Sequence, residues 1–418
     1  MKIPACEVSD PESEFGATRG VCDTSQTGMD DGAVNGHGTA EENPASNCSP
    51  KTLKRKLVLH FDVRNTVLVA DSVTNVSVEQ ALNSYLTGVT WGKNTPEGWT
   101  WVSQTPSIKA PTTDSLTYYK YMENKLVKEP KDRAVLRRVT GDFTQESIGC
   151  RFSDYFHKHL QLLAWPHNPA TYKETDKKLT MHGNDGKLYH YILPSFFKLI
   201  HHLHNEGRDF SVIFRTYGLD APNVLECLAL TMAGKHPSFP EALPLKVNLN
   251  TGRITREQNR IQLESYEDGF RTDIFTSERA SYEMFNSVKG ACAFKDDFSF
   301  WQKNEYHYLA GKPFWVDFND KNIHHIFFDD NLRIDEEDSI VDVRVFNKTG
   351  TEAKSLNREE SAMLEDVCLV QADLLESTER ENYFIDKVAL CEKNFESLLN
   401  SIEIKNKPEV NSLVSHSN

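Results

Sequence analysis

Four short apolar runs, each ending abruptly on charged or hydroxyl side chains, constrain the fold of this chain more than any other feature. Leu57-Val58-Leu59-His60-Phe61 leads into Asp62, and Phe210-Ser211-Val212-Ile213-Phe214 into Arg215-Thr216. Gly290-Ala291-Cys292-Ala293-Phe294 leads into Lys295-Asp296-Asp297, and Ile323-His324-His325-Ile326-Phe327-Phe328 into Asp329-Asp330-Asn331. Runs this short and this continuous read as strands buried on both faces, the pattern of a parallel sheet covered by helices. Helix-spaced apolar residues fill the intervals at 78–86, 150–165, 189–204 and 223–232, and Asn205-Glu206-Gly207 supplies a glycine cap. The predicted fold class is therefore α/β: a Rossmann-like parallel sheet flanked by helices.

In an open parallel sheet, polar residues at the carboxyl ends of strands converge even when far apart in sequence. Asp62, Arg215, Thr216, Lys295, Asp329 and Asp330 are thus expected to share a site, where three carboxylates meet a hydroxyl and cations. Hard oxygen donors of that kind suit Mg2+. His324 and His325 fall inside a strand and point to opposite faces, so one core and one surface histidine are expected.

Composition narrows the partners. The formal net charge is -14 and the basic residues are scattered, whereas nucleic acids and acidic membranes need a concentrated basic face. No nucleic-acid or membrane partner is expected. The eight cysteines form no CxxC pair, and neither a leader segment nor a bilayer-length apolar stretch is apparent, which points to a cytoplasmic protein. Residues 1–52 are too poor in large aliphatics to offset the entropy of ordering and read as a disordered tail. The expected organisation continues with an α/β core at 53–70 and 191–350, an insertion at 71–190, C-terminal helices at 351–405 and a second disordered tail at 406–418. Trp91, Trp99 and Trp101 lie in the insertion, either lining a lid or forming its own core.

The order strand-Asp, strand-Thr, Lys, strand-Asp-Asp resembles the four motifs of the haloacid dehalogenase (HAD-like) superfamily, a Rossmann-like fold with an inserted cap. The first motif, Asp-x-Asp-x-Thr, matches Asp62-Val63-Arg64-Asn65-Thr66. The resemblance implies that Asp62 is nucleophile and metal ligand, that Thr216 contacts phosphate, and that Asp329 and Asp330 hold Mg2+. It implies a catalytic lysine too, for which Lys295 is preferred because it ends a strand and opens a helix; Lys312 in Gly311-Lys312-Pro313 is the rival. It also makes the insertion at 71–190 a cap.

Arg64 stands where the motif usually carries its general acid and base, and a guanidinium cannot exchange a proton near neutral pH. Arg64 and Arg215 would then either grip an anionic substrate or merely offset the charge of Asp62, Asp329 and Asp330. Two functions follow from the resemblance: a Mg2+-dependent hydrolase or phosphotransferase acting on a small phosphorylated or anionic metabolite through an aspartyl intermediate, or a catalytically weak relative that binds a phosphate ligand or a protein partner. A glycine-loop nucleotide-binding domain is not indicated, since neither GxGxxG nor GxxxxGK[ST] follows a strand.

Overall fold

A computed structural model of the chain describes residues 54–70, 76–166, 173–257, 260–334 and 339–406. The tails expected at 1–52 and 406–418 lie outside them, except that Asn406 ends a helix. The fold is mixed α/β, organised on a large, mostly parallel central sheet. The strand Lys56–Asp62 lies in its interior, with Phe210–Thr216 and then Gly290–Lys295 on one side and Ile323–Asp329 and then Leu369–Gln371 on the other, all parallel. Beyond Gly290–Lys295 the sheet continues through Val247–Glu257 and ends in the antiparallel strands Arg260–Glu267 and Phe270–Phe275.

This order fixes where a ligand can approach. The chain leaves Lys56–Asp62 toward one side, returns, and continues on the other side with Ile323–Asp329. The switch point therefore falls at the carboxyl end of the strand carrying Asp62. The register pairs Phe61 with Phe328 and Asp62 with Arg215, so the polar ends of these three strands lie at one level.

Both faces of the sheet are covered, which explains the unbroken apolar runs. Leu57, Leu59 and Phe61 pack under helices Pro194–Asn205, Ala221–Met232 and Tyr383–Asn406. Phe61 stacks on Phe328 at 4.6 Å and meets Phe196 and Phe384 edge-on. On the opposite face, Val58 and Ile213 pack against helix Glu278–Ser287 and Trp315. Trp315 belongs to a smaller sheet of Lys312–Val316, Val341–Phe346 and Ala353–Ser355. Helix Pro194–Asn205 stops where Gly207 adopts a left-handed φ of 61°, matching the expected glycine cap.

Covering both faces also corrects one expectation: His324 and His325 are both buried. His324 stacks on Phe395 at 4.0 Å and bonds the Val367 carbonyl, while His325 on the other face bonds His60 and Asn286. A second correction concerns the segment at 351–405, which is not only helical: Leu369–Gln371 adds a strand to the central sheet. A strand of three residues is too short to show a period in sequence.

The insertion packs around helices Val78–Gly88, Tyr118–Leu126, Arg133–Gly141 and Ser153–Leu163 in a hydrophobic cluster that also takes in Val69, Leu193, Leu374 and Leu375 from outside it. Its tryptophans belong to that cluster or its framework. Trp101 lies edge-on to Phe152 at 5.0 Å, and the Trp91 indole N–H donates to the Ser107 carbonyl. Among the described residues, no helix is long and apolar enough to cross a membrane.

Candidate metal centre

The loop after Asp62 is tied back on itself. Asn65 N–H donates to the Leu68 carbonyl, and Leu68 N–H to that of Val63. Asn65 takes a left-handed φ of 58°, a conformation asparagine tolerates better than most residues. Its side-chain amide donates to Asp330 Oδ2 at 3.1 Å, and the Thr66 hydroxyl accepts from Asp330 N–H at 3.2 Å. The loop thereby fixes the start of the segment that follows the Asp329 strand. Asn331 adds two further contacts: its backbone N–H donates to Asp329 Oδ1, and its side-chain amide to Asp330 Oδ1.

Asp62, Asp329 and Asp330 offer ligand oxygens that all lie within 4.8 Å of one another. Lys312 closes the cluster from the smaller sheet: its fully buried ammonium donates to Asp62 Oδ1 at 2.5 Å, Asp329 Oδ2 at 2.8 Å and the Arg215 carbonyl at 3.3 Å. Gly311, just before it, has no room for a Cβ against the Ile340 carbonyl, so Lys312 enters from a closely packed backbone.

The charges explain the titration of these groups. Burial pushes the Asp62 carboxyl well above the usual range, Lys312 opposes that shift, and Asp329 and Asp330 reinforce it. Burial likewise raises Asp330, to about 7, with Asp329 adding to the shift and Asn65 opposing it. Burial pulls the Lys312 ammonium down, but the carboxylates of Asp329 and Asp62 outweigh it and hold the group charged. Three carboxylates against one ammonium leave about two negative charges uncompensated when all are ionised, in a hard-oxygen donor set. The residues present therefore fit a divalent cation such as Mg2+.

The residues expected at the site divide. Asp62, Asp329 and Asp330 come together, but the lysine that joins them is Lys312, the rival, and not Lys295. Lys295 pairs in register with Thr216 at the end of its strand and makes no ion pair with Asp62 among the described residues. Lys295 is preferred in the sequence because it ends a strand and opens a helix, yet Lys312 is itself the first residue of a fully buried strand, Lys312–Val316. Thr216 ends its strand beside this centre; its hydroxyl oxygen accepts from Gly218 N–H at 2.9 Å, leaving the O–H able to donate.

Arg215 does not face a ligand. It is fully buried, and its fork holds Asp296 at 2.9 and 2.6 Å and the Pro313 carbonyl at 3.0 Å. The guanidinium is spent on Asp296 and leaves the carboxylate triad uncompensated by Arg215. Arg64 also fails to offset the triad. It makes no ion pair among the described residues, and its Nε is buried without a hydrogen-bond partner.

Aromatic side chains continue the site away from Lys312. The ammonium lies 5.2 Å from the Tyr217 ring centroid, Tyr217 stacks on Trp301, and Trp301 meets Tyr306 edge-on. From the insertion, the Arg133 guanidinium lies 5.9 Å from the Tyr306 ring centroid. The sequence carried no period that could have joined these residues.

Fold and site together define an α/β protein with a carboxylate and lysine centre at the switch point of a mostly parallel sheet. No protein-family model matches the sequence, and neither a characterised protein nor a solved structure is significantly similar to it.

Proposed function

We propose that this protein is a Mg2+-dependent phosphoryl hydrolase or phosphotransferase of the HAD-like type, with Asp62 as nucleophile, acting on a small phosphorylated metabolite. The observation that carries the reading is the Lys312 ammonium shared between Asp62 and Asp329, with Asp330 alongside, at the switch point of the sheet. The insertion, entering between Asp62 and Thr216 in sequence, is read as the cap.

Bound at Asp62, Asp329 and Asp330, the metal would supply positive charge to the phosphoryl oxygens and offset the burial and mutual repulsion that raise the Asp62 and Asp330 carboxyls. Lys312 holds one oxygen of Asp62 and so orients the other for in-line attack on phosphorus. As the Asp62 oxygen bonds to phosphorus, the bond to the leaving oxygen breaks. Water then attacks the aspartyl phosphate, releasing phosphate and restoring Asp62. The Thr216 hydroxyl, whose oxygen accepts from Gly218 N–H, would donate its O–H to a phosphoryl oxygen, a charge-assisted bond.

Arg64 cannot protonate the leaving oxygen, and general acid assistance is worth roughly a hundredfold to ten-thousandfold. Substrates with good leaving groups are therefore expected to turn over fastest. A panel of phosphorylated metabolites and p-nitrophenyl phosphate, assayed with and without Mg2+ on the native chain and on Asp62→Asn, tests the reading. Metal-dependent turnover abolished by the substitution is the expected result. Arg64 favours a second reading, a phosphate-binding protein without catalysis, which would give no turnover while Mg2+ still binds.

A further inference from the structure

Lys312 opens a strand at the edge of the smaller sheet, where Val341–Phe346 is its strand partner among the described residues. Lys312 N–H donates to the Ile340 carbonyl at 2.7 Å, so the residue turns its own backbone groups toward that partner. Carbonyls alternate along a strand, and those of Gly311 and Pro313 therefore face the open edge, where a buried carbonyl needs some other donor. Pro313 has no N–H to satisfy there.

Two buried arginines stand in for the missing strand. Arg256, from Val247–Glu257, donates to the Gly311 carbonyl and, at 3.1 Å, to that of Leu309. Arg215 donates to the Pro313 carbonyl at 3.0 Å, and its own carbonyl accepts from Lys312 Nζ. Each guanidinium has a buried carboxylate, Asp342 at 2.9 Å for Arg256 and Asp296 at 2.6 Å for Arg215. Asp297 adds a further hold by accepting from Arg256 N–H at 3.1 Å. The carbonyls on either side of Lys312 are thus fixed by residues of the central sheet, which also carries Asp62.

We infer that Arg256 is a positioning residue for the reaction at Asp62: with Arg215 it clamps the backbone on both sides of Lys312 and so places the ammonium that orients the attacking carboxylate. This rests on the phosphoryl-transfer reading and deepens it. A misplacement of about 1 Å at such a group can cost about a hundredfold in rate. Arg344 supplies the contrast, since its fork serves Glu278, Asp342 and Ser355 and not the backbone beside Lys312.

Steady-state kinetics on the full chain with p-nitrophenyl phosphate at saturating Mg2+, beside melting curves, test the inference. Arg256→Met, in which Arg344 still balances Asp342, should lower kcat per folded molecule about tenfold or more while KM changes about twofold or less. The rise in melting temperature with Mg2+ and beryllium fluoride, relative to Mg2+ alone, should shrink in step. Arg256→Lys, which restores the charge and one donor, should regain part of both. Arg344→Met should lower the melting temperature yet leave kcat within about twofold and the beryllium fluoride rise intact. If Arg256→Met does not fold, Arg256→Lys against Arg344→Met decides, with both readouts reduced in the former alone. Readouts unchanged in the folded Arg256 variants, or reduced equally in Arg344→Met, would overturn the inference. Turnover or a beryllium fluoride rise in the native chain keeps the phosphoryl-transfer reading in that event; if the native chain shows neither, both fall.

Discussion

Lys312 Nζ donates to Asp329 Oδ2 at 2.8 Å, joining the smaller sheet to the central one through a contact with no exposed atom on either side chain. An ammonium enclosed this way must be matched by carboxylates, because an unpaired buried charge costs several kcal/mol. Lys312→Met should therefore abolish both the Mg2+ response and turnover, while Lys295→Met, altering a residue outside the ion-pair cluster, should keep the Mg2+ response. Melting curves with and without Mg2+ on the two variants separate the assignments.

Asp296 is the buried partner of Arg215, so it cannot be treated as an indifferent acidic residue near the site. Asp296→Asn leaves a guanidinium charge unbalanced in the core and should cost about 3–5 kcal/mol. Denaturant unfolding of that variant measures the cost.

The sheet and the carboxylates were legible in the sequence because each strand buried on both faces writes a continuous apolar run with a polar end. What escaped reading lacked that mark. Val247–Glu257 carries Asn248 and Asn250 in a first half that is only partly covered, and Arg253 and the buried Arg256 in its second half, so no continuous apolar run marks it. Lys312 depends on a contact across 250 residues to Asp62, which no local pattern encodes. The fate of Arg215 turned on a partner, Asp296, that one-dimensional reading placed beside it only as another strand-end charge.

Asp330, held up to about 7 mainly by burial and reinforced by Asp329, is destabilising when ionised without metal. Its folded pKa lies above the unfolded value near 4, so the strain grows as pH rises from about 4 through 7. Asp330→Asn should accordingly stabilise the chelated protein near pH 8 by an amount of order 1 kcal/mol. It should also weaken Mg2+ binding. For the native chain, calorimetry should show Mg2+ affinity falling from pH 8 to pH 6, as the metal must displace a proton.

Buried His324 and His325 are lowered to about 4 and about 3, in each case chiefly by burial. Both stay neutral in the fold while the unfolded chain protonates near pH 6.5, so stability should fall as pH drops below that value. The loss is of order 1 kcal/mol per histidine for each pH unit down to about 4. Denaturation midpoints between pH 7 and pH 5 should decline, with a shallower slope in His324→Gln.

The most direct test of the central claim is the melting temperature with Mg2+ and beryllium fluoride, a mimic of the phosphorylated aspartate, compared between the native chain and Asp62→Asn. The account predicts a rise of several degrees in the native chain, beyond that from Mg2+ alone, and none in the variant. No rise in the native chain, or an equal rise in both, would contradict it.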